Sequence, residues 1–158
     1  MSKNIVVLVE PEIPANTGNI SRTCVATNTA LHLVEPLGFE LSDKRIKRAG
    51  LDYWFDLDLT IWRSLDECMH YFRTQQTHQL VFATTKAPHR YTDFNLNKPV
   101  ALFFGKETKG LPEDLLFAHP ENCVRLPMGK DYRSLNLSNS VAILLYEALR
   151  QQGFPNLF

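Results

Sequence analysis

Ile5-Val6-Val7-Leu8-Val9, closed by Glu10-Pro11, is the stretch from which the fold is read. It is an unbroken apolar run, rich in β-branched residues, with none of the polar alternation of a half-exposed strand. Such a run suits a strand covered on both faces, as in a parallel sheet. Working outward, residues 31–34, 57–62, 80–83, 100–104 and 124–126 read as further short strands. Between them lie helical patterns. Residues 16–29 carry Ile20, Cys24 and Thr27 on one stripe, and residues 43–49 form a short basic helix stopped by Gly50. Ser64 with Glu67 three residues on is the pattern of a capping box opening a helix to about Gln75. Pro112 suits the first turn of a helix to residue 117. In the last helix, capped by Ser138, Val141, Leu144, Leu145, Ala148 and Leu149 repeat with helical period, and Gly153 and Pro155 stop it. Strand and helix alternate along the chain, which predicts an α/β fold with a mostly parallel sheet flanked by helices. No repeat, low-complexity segment or linker divides residues 1–158, so a single domain is expected.

Composition narrows the function. The 158 residues are 44% hydrophobic and 22% charged, and 17 Lys and Arg balance 17 Asp and Glu. A neutral chain excludes a non-specific basic coat, so any nucleic-acid site must come from local clustering of charge. Cys24, Cys68 and Cys123 are dispersed and form no C-x-x-C pair. That argues against a disulfide framework or a zinc site and fits a reducing, cytoplasmic setting. The apolar run at Ile5 is too short for a secretory signal, and no run is long enough to cross a membrane, so no membrane partner is expected.

In open α/β sheets ligands bind beyond the carboxyl ends of the strands. Three stretches leave a strand there: Pro14 to Arg22, Phe104 to Pro112 and Leu126 to Asn139. No G-x-G occurs, so the dinucleotide fingerprint is absent. Gly105-Lys106-Glu107-Thr108-Lys109-Gly110 lacks the Lys and hydroxyl residue that a phosphate loop places after its second glycine. The five histidines show no metal-ligand spacing and read as surface or structural groups.

Asn16, Asn19 and Arg22, three apart, read as one polar helix face. It is either a solvated face capped by Asn16 or a phosphate- and ribose-contacting face led by Arg22. Gly18 among them permits close approach of another backbone. The glycine-bounded loop holding Glu107 is either an ordinary turn or a set of backbone groups offered to a heterocycle. Ser134, Asn136, Ser138, Asn139 and Ser140 crowd one helix start, where a single cap suffices, and the surplus points to a ligand. Lys44, Arg45, Lys47 and Arg48 are either a solvated helix face or a dock for an RNA backbone.

Taken together these stretches resemble the SPOUT superfamily of RNA methyltransferases, and within it the small branch acting on the tRNA wobble ribose. The matching residues are Pro14-x-Asn16-x-Gly18-Asn19-x-x-Arg22, then Phe103-Phe104-Gly105-x-Glu107-x-x-Gly110-Leu111-Pro112, then Arg125-Leu126-Pro127-Met128 and Arg133-Ser134-Leu135-Asn136-Leu137-Ser138-Asn139-Ser140. His32 to Phe39, Lys44-Arg45 and Gly50 to Tyr53 add to the likeness, which spans nearly the full length. The resemblance implies a C-terminal trefoil knot and S-adenosyl-L-methionine as methyl donor, with tRNA as substrate, no metal and a homodimer. It implies that Ala83, Gly105, Leu126 and Ser134 line the cofactor site, with Leu135 and Asn136 near the adenine; relatives often carry a larger apolar residue where Ala83 stands. It implies Arg22 as the motif arginine proposed as a base in related enzymes. A guanidinium is a poor proton acceptor, so the less demanding role is to pin a phosphate and stabilise alkoxide charge, with Arg133 sharing the task. Asn16, Asn19, Lys44, Arg45, Arg48 and Glu107 are the candidates for the substrate side, Glu107 alternatively orienting its loop or offsetting the sulfonium charge. Tyr53-Trp54-Phe55 and the tail with Phe154, Leu157 and Phe158 are open to an interface or a core reading. Competing functions are 2′-O-methylation at another tRNA or rRNA position, or a non-catalytic module binding the cofactor or RNA.

Overall fold

The computed structural model describes residues 2–158. Six strands form one sheet: β1 (Ile5–Val9), β2 (Ala30–Val34), β3 (Leu59–Trp62), β4 (Gln79–Ala83), β5 (Val100–Phe104) and β6 (Cys123–Val124). Their order is β3-β2-β1-β5-β4-β6, and every pairing is parallel. Every residue of β1, β2 and β5 is buried. Two-sided burial is what an unalternating apolar run requires.

The helices are α1 (Pro14–Ala26), α2 (Lys44–Gly50), α3 (Leu65–Gln75), α4 (Glu113–Ala118) and α5 (Leu137–Gln151). Successive strand residues face opposite sides of the sheet, so two cores form. Val6, Leu8, Leu33, Leu102 and Phe104 pack with Ile20 and Cys24 of α1 and with Val141, Leu144, Leu145 and Ala148 of α5. On the other face Val7, Phe82 and Phe103 meet Cys68, Met69 and Phe72 of α3 and Leu115 of α4. Each large apolar side chain removed from water this way contributes about 1.5–3 kcal/mol.

Close approach explains Gly18. A Cβ there would stand 2.5 Å from the Ile46 carbonyl oxygen and 2.8 Å from the Ala49 Cβ. The approaching backbone anticipated from the sequence is therefore that of α2, which crosses directly against α1.

Several boundaries differ from the sequence expectation. α1 begins at Pro14 and ends at Ala26, with Ile13 as N-cap, so Asn16 lies inside the helix and does not cap it. α5 is capped by Asn136, not Ser138: the Asn136 Oδ1 accepts from the backbone N–H groups of Ser138 and Asn139. β6 stops at Val124, leaving Leu126 beyond the strand. Residues 51–56 form a 3-10 helix that the pattern did not reveal. At α3 the Ser64 hydroxyl accepts from the Glu67 N–H as expected, but Glu67 returns its bond to Arg63 N–H, one residue before the cap.

His32 on β2 is a buried histidine whose Nδ1 accepts from the Trp62 indole N–H at 3.1 Å. Burial pushes its imidazole down from 6.5 to about 4, against the pull of the Asp58 carboxylate. The unfolded chain therefore takes up this proton first, so the stability His32 confers is complete above pH 6.5 and is lost as the pH falls towards 4. That difference corresponds to about 3 kcal/mol. Replacing His32 by Gln is expected to flatten this limb of the stability–pH curve, as read by urea unfolding between pH 4 and 7 in both proteins.

Candidate functional site

The carboxyl ends of β4, β5 and β6 release three loops on one side of the sheet, where the start of α1 joins them. Together they enclose a cavity of about 610 Å³. Leu111, Leu116, Val124 and Leu126 give it an apolar wall, and Thr84, Arg133, Ser134 and Ser140 supply polar groups. Ala83, Gly105, Leu126, Ser134, Leu135 and Asn136, drawn from three separate stretches, all line this one space, as do Asn16, Glu107 and Arg133. Asn19, Arg22, Lys44, Arg45 and Arg48 do not.

Gly105 follows β5 directly. A Cβ at this position would overlap the backbone of Gly110 and Leu111. The loop from 105 to 110 folds back on itself, with Gly110 N–H donating to the Lys106 carbonyl at 2.8 Å. It is tied to the loop after β1 at two further points. The Thr108 hydroxyl and N–H both donate to the Glu12 carboxylate, which lies below its usual range chiefly because of the hydroxyl bond. The Lys106 ammonium stands 3.6 Å from Glu10.

Glu107 is the more consequential tie. Its Oε1 accepts from Glu12 N–H at 2.9 Å, and its Oε2 accepts from Ile13 N–H at 2.8 Å and from the Asn16 amide at 3.1 Å. A carboxylate thus takes up donors at the start of α1, the end of a helix where negative charge is favoured. The Asn16 Oδ1 in turn accepts from the Asn136 amide at 3.2 Å. The three stretches are therefore joined side chain to side chain. Of the two readings of Glu107's loop, the polar atoms of its side chain are committed to orienting this junction. Glu107→Ala removes the acceptor of three donors and is expected to cost about 2 kcal/mol, measured as a lower urea midpoint at unchanged slope.

Asn16 is 7% exposed while Asn19 and Arg22 are exposed, which divides the single polar face read from their spacing. The Arg22 guanidinium lies over the Tyr53 ring, 5.7 Å from its centroid. α2 packs on α1 and presents Lys44, Arg45, Lys47 and Arg48 outward. Arg45 pairs with Asp43 at 2.9 Å. Among the described residues Arg22, Lys44, Lys47 and Arg48 have no ion-pair partner.

Thr84, Thr85 and Lys86 line the cavity but escaped the sequence reading. The signal was present: they are the polar residues immediately beyond a buried strand, as at the other three junctions. Leu116 carried no such signal, because helix α4 reaches the cavity only through packing. Among the described residues no group of His, Cys, Asp or Glu is placed to hold a metal ion, and no helix is long and apolar enough to cross a membrane.

A cavity among the loops after β4, β5 and β6 is where the resemblance placed a cofactor site, and a family model decides the family. The model described as the SpoU rRNA Methylase family matches residues 3–146. The chain belongs to this family. A relative from Geobacillus stearothermophilus, carrying a provisional designation as a tRNA (cytidine(34)-2′-O)-methyltransferase, is 50% identical over 155 residues, spanning 96% of this chain and 97% of its own. The tRNA (cytidine(34)-2′-O)-methyltransferase of Methylovorus glucosotrophus is 47% identical over 150 residues, spanning 94% and 96%. Among solved structures, one described as giving structural insights into the 2-OH methylation of C/U34 on tRNA superposes with a TM-score of 0.89 at 36% identity, over 96% of this chain and 97% of that one. The SpoU methyltransferase AviRb of Streptomyces viridochromogenes, in complex with the cofactor AdoMet, superposes with a TM-score of 0.86 at 26% identity, over 95% and 60%.

Proposed function

We propose that this protein transfers the methyl group of S-adenosyl-L-methionine to the ribose 2′-hydroxyl of the wobble nucleotide, cytidine or uridine at position 34, of tRNA. The observation that carries the reading is the convergence of three strand-end loops on one cavity beside a helix whose exposed arginine has no internal charge partner. The relatives named for this activity span nearly the whole chain, and a structural relative binds AdoMet.

The residues present fit the cofactor. The cavity lies within the roughly 300–1,000 Å³ of small-molecule sites. Its apolar wall of Leu111, Leu116, Val124 and Leu126 suits a flat heterocycle, Ala83 and Gly105 bring strand-end backbone to its surface, and Ser134, Leu135 and Asn136 complete the lining. The sulfonium supplies an electrophilic methyl without help from a metal ion. The protein's task is then to hold the ribose oxygen in line with it, and positioning of this kind supplies up to about 7–11 kcal/mol. Arg22, aided by Arg133, grips a flanking phosphate and stabilises the alkoxide as the proton leaves to phosphate or water. Asn19, Lys44, Arg45 and Arg48 guide the RNA backbone. Asn16 and Glu107 bound the substrate side and fix its geometry.

In this reading residues 1–158 act as one domain, knotted at the C-terminal loops, in a cytoplasmic homodimer. Exposed Tyr146 and Phe154, which line a second apolar hollow with Leu157, are the surface offered to the second copy.

The experiment is transfer of labelled methyl from S-adenosylmethionine to bulk tRNA and to rRNA, followed by mass-spectrometric mapping of the 2′-O-methyl position. Label at nucleotide 34 is expected. The family model is named for rRNA, so label confined to rRNA would replace the substrate assignment. Cofactor binding with no transfer to either RNA would leave a binding module.

A further inference from the structure

The hydrogen bonds through Asn16 have only one possible direction. Glu107 as a carboxylate can only accept, so Asn16 must turn its Nδ2 towards it and its Oδ1 towards Asn136. Asn136 must then donate from Nδ2, which leaves its Oδ1 to accept from Ser138 N–H at 2.9 Å and from the Ser138 hydroxyl at 2.6 Å. Neither amide can flip. Reversing Asn16 would set its oxygen against a carboxylate, and reversing Asn136 would uncap α5. Aligned bonds of this kind strengthen one another in a partly dehydrated setting.

This relay runs along the cavity wall, which Glu107, Asn16 and Asn136 all line, and Asn16 carries it into α1, the RNA-facing helix. Arg133, Ser134 and Leu135 line the cavity directly before Asn136, on a segment that is otherwise largely exposed. Asn16 sits inside α1, and Arg22 follows it six residues later, about 9 Å further along the same rigid helix. A ligand that engages residues 133–135 acts next to Asn136, which bonds through Asn16 to the helix that carries Arg22.

We propose that Asn16 is a positioning residue that couples occupancy of the methyl-donor cavity to the grip of α1 on RNA. The proposal rests on the methyltransferase reading above. Coupling between two sites is reciprocal, and it is commonly worth 5–150-fold in affinity.

The test measures the dissociation constant of the tRNA that the wild-type protein methylates, with and without saturating S-adenosylhomocysteine, an unreactive occupant of the cavity. The wild-type ratio is expected to be about fivefold or more. In Asn16→Ala the ratio is expected to fall close to one with kcat reduced, whatever change the affinity for each ligand alone shows. Asn16→Leu, which keeps the side-chain size but carries neither donor nor acceptor, is expected to lose the ratio in the same way and serves if the alanine variant does not fold. A role confined to packing would weaken both separate affinities together and leave the ratio intact; that result overturns the proposal, as does a wild-type ratio of one. Failure of the methyltransferase reading shows separately, as absence of methyl transfer to any RNA by the wild-type protein.

Discussion

Arg22→Ala is expected to lower single-turnover methylation of tRNA by about 10²–10³-fold, the range found when a donor to developing negative charge is removed. Affinity for S-adenosylmethionine is expected to stay within about twofold, a bound that follows from the side chain's standing outside the cavity walls. The guanidinium rests over Tyr53 and has no carboxylate partner among the described residues. Its internal contact is a cation–π interaction worth about 0.5–1 kcal/mol at an exposed site, so the fold should lose little. Arg22→Lys keeps the charge but not the planar fork that matches a phosphate, and an intermediate rate is expected. Calorimetry with the cofactor and rapid-quench assays separate the two quantities. An alanine variant that methylates at the wild-type rate would remove Arg22 from the reaction, and one that no longer binds cofactor would place it in the wrong site.

Gly105→Ala should fail at a different step. The added methyl would occupy space held by the backbone of Gly110 and Leu111, and backbone cannot rotate away as a flexible side chain would. The loop must open, yet it is closed by Gly110 N–H to Lys106 and tied by Glu107 and Thr108 to the segment after β1. The strain is expected to cost about 1–3 kcal/mol of stability. A misplacement of about 1 Å in the cavity wall is expected to weaken cofactor binding and to lower the methylation rate about 100-fold. Gly110→Ala is the control. Gly110 has φ +71° with open space around its Cβ position, so that variant pays about 1–2 kcal/mol of backbone strain and should retain most of its affinity. Equal loss of binding in both variants would show that general loop strain, and not the overlap at Gly105, controls the cavity.

Other residues show where the sequence could be read and where it could not. β1 and β5 were legible because a strand covered on both faces has to be apolar at every position. The α5 stripe was legible because one helical face meets the sheet. The cap of α5 was not, since Asn136 and Ser138 are both good capping residues and local sequence cannot choose between them. Asn136 prevails because its amide also reaches Asn16, 120 positions away. Asn16 reads by spacing as part of a solvated or a ligand-contacting face, and its bonds to Glu107, 91 positions on, and to Asn136 make its burial tolerable. Thr84 and Thr85 could have been read from the strand-exit rule that found the other loops.

The amino-acid sequence by itself determined the alternation of strand and helix, the parallel sheet, the three motif-bearing loops and the residues that belong to them. Those features depend on interactions between near neighbours and on how much apolar surface each segment must hide. Only the tertiary structure decided that the loops share one cavity, that Glu107, Asn16 and Asn136 form a chain of bonds with a single direction, and that Arg22 stands outside the cavity walls. These outcomes depend on groups about a hundred residues apart being brought within 3.2 Å, and a hydrogen bond of that length leaves no trace in local periodicity.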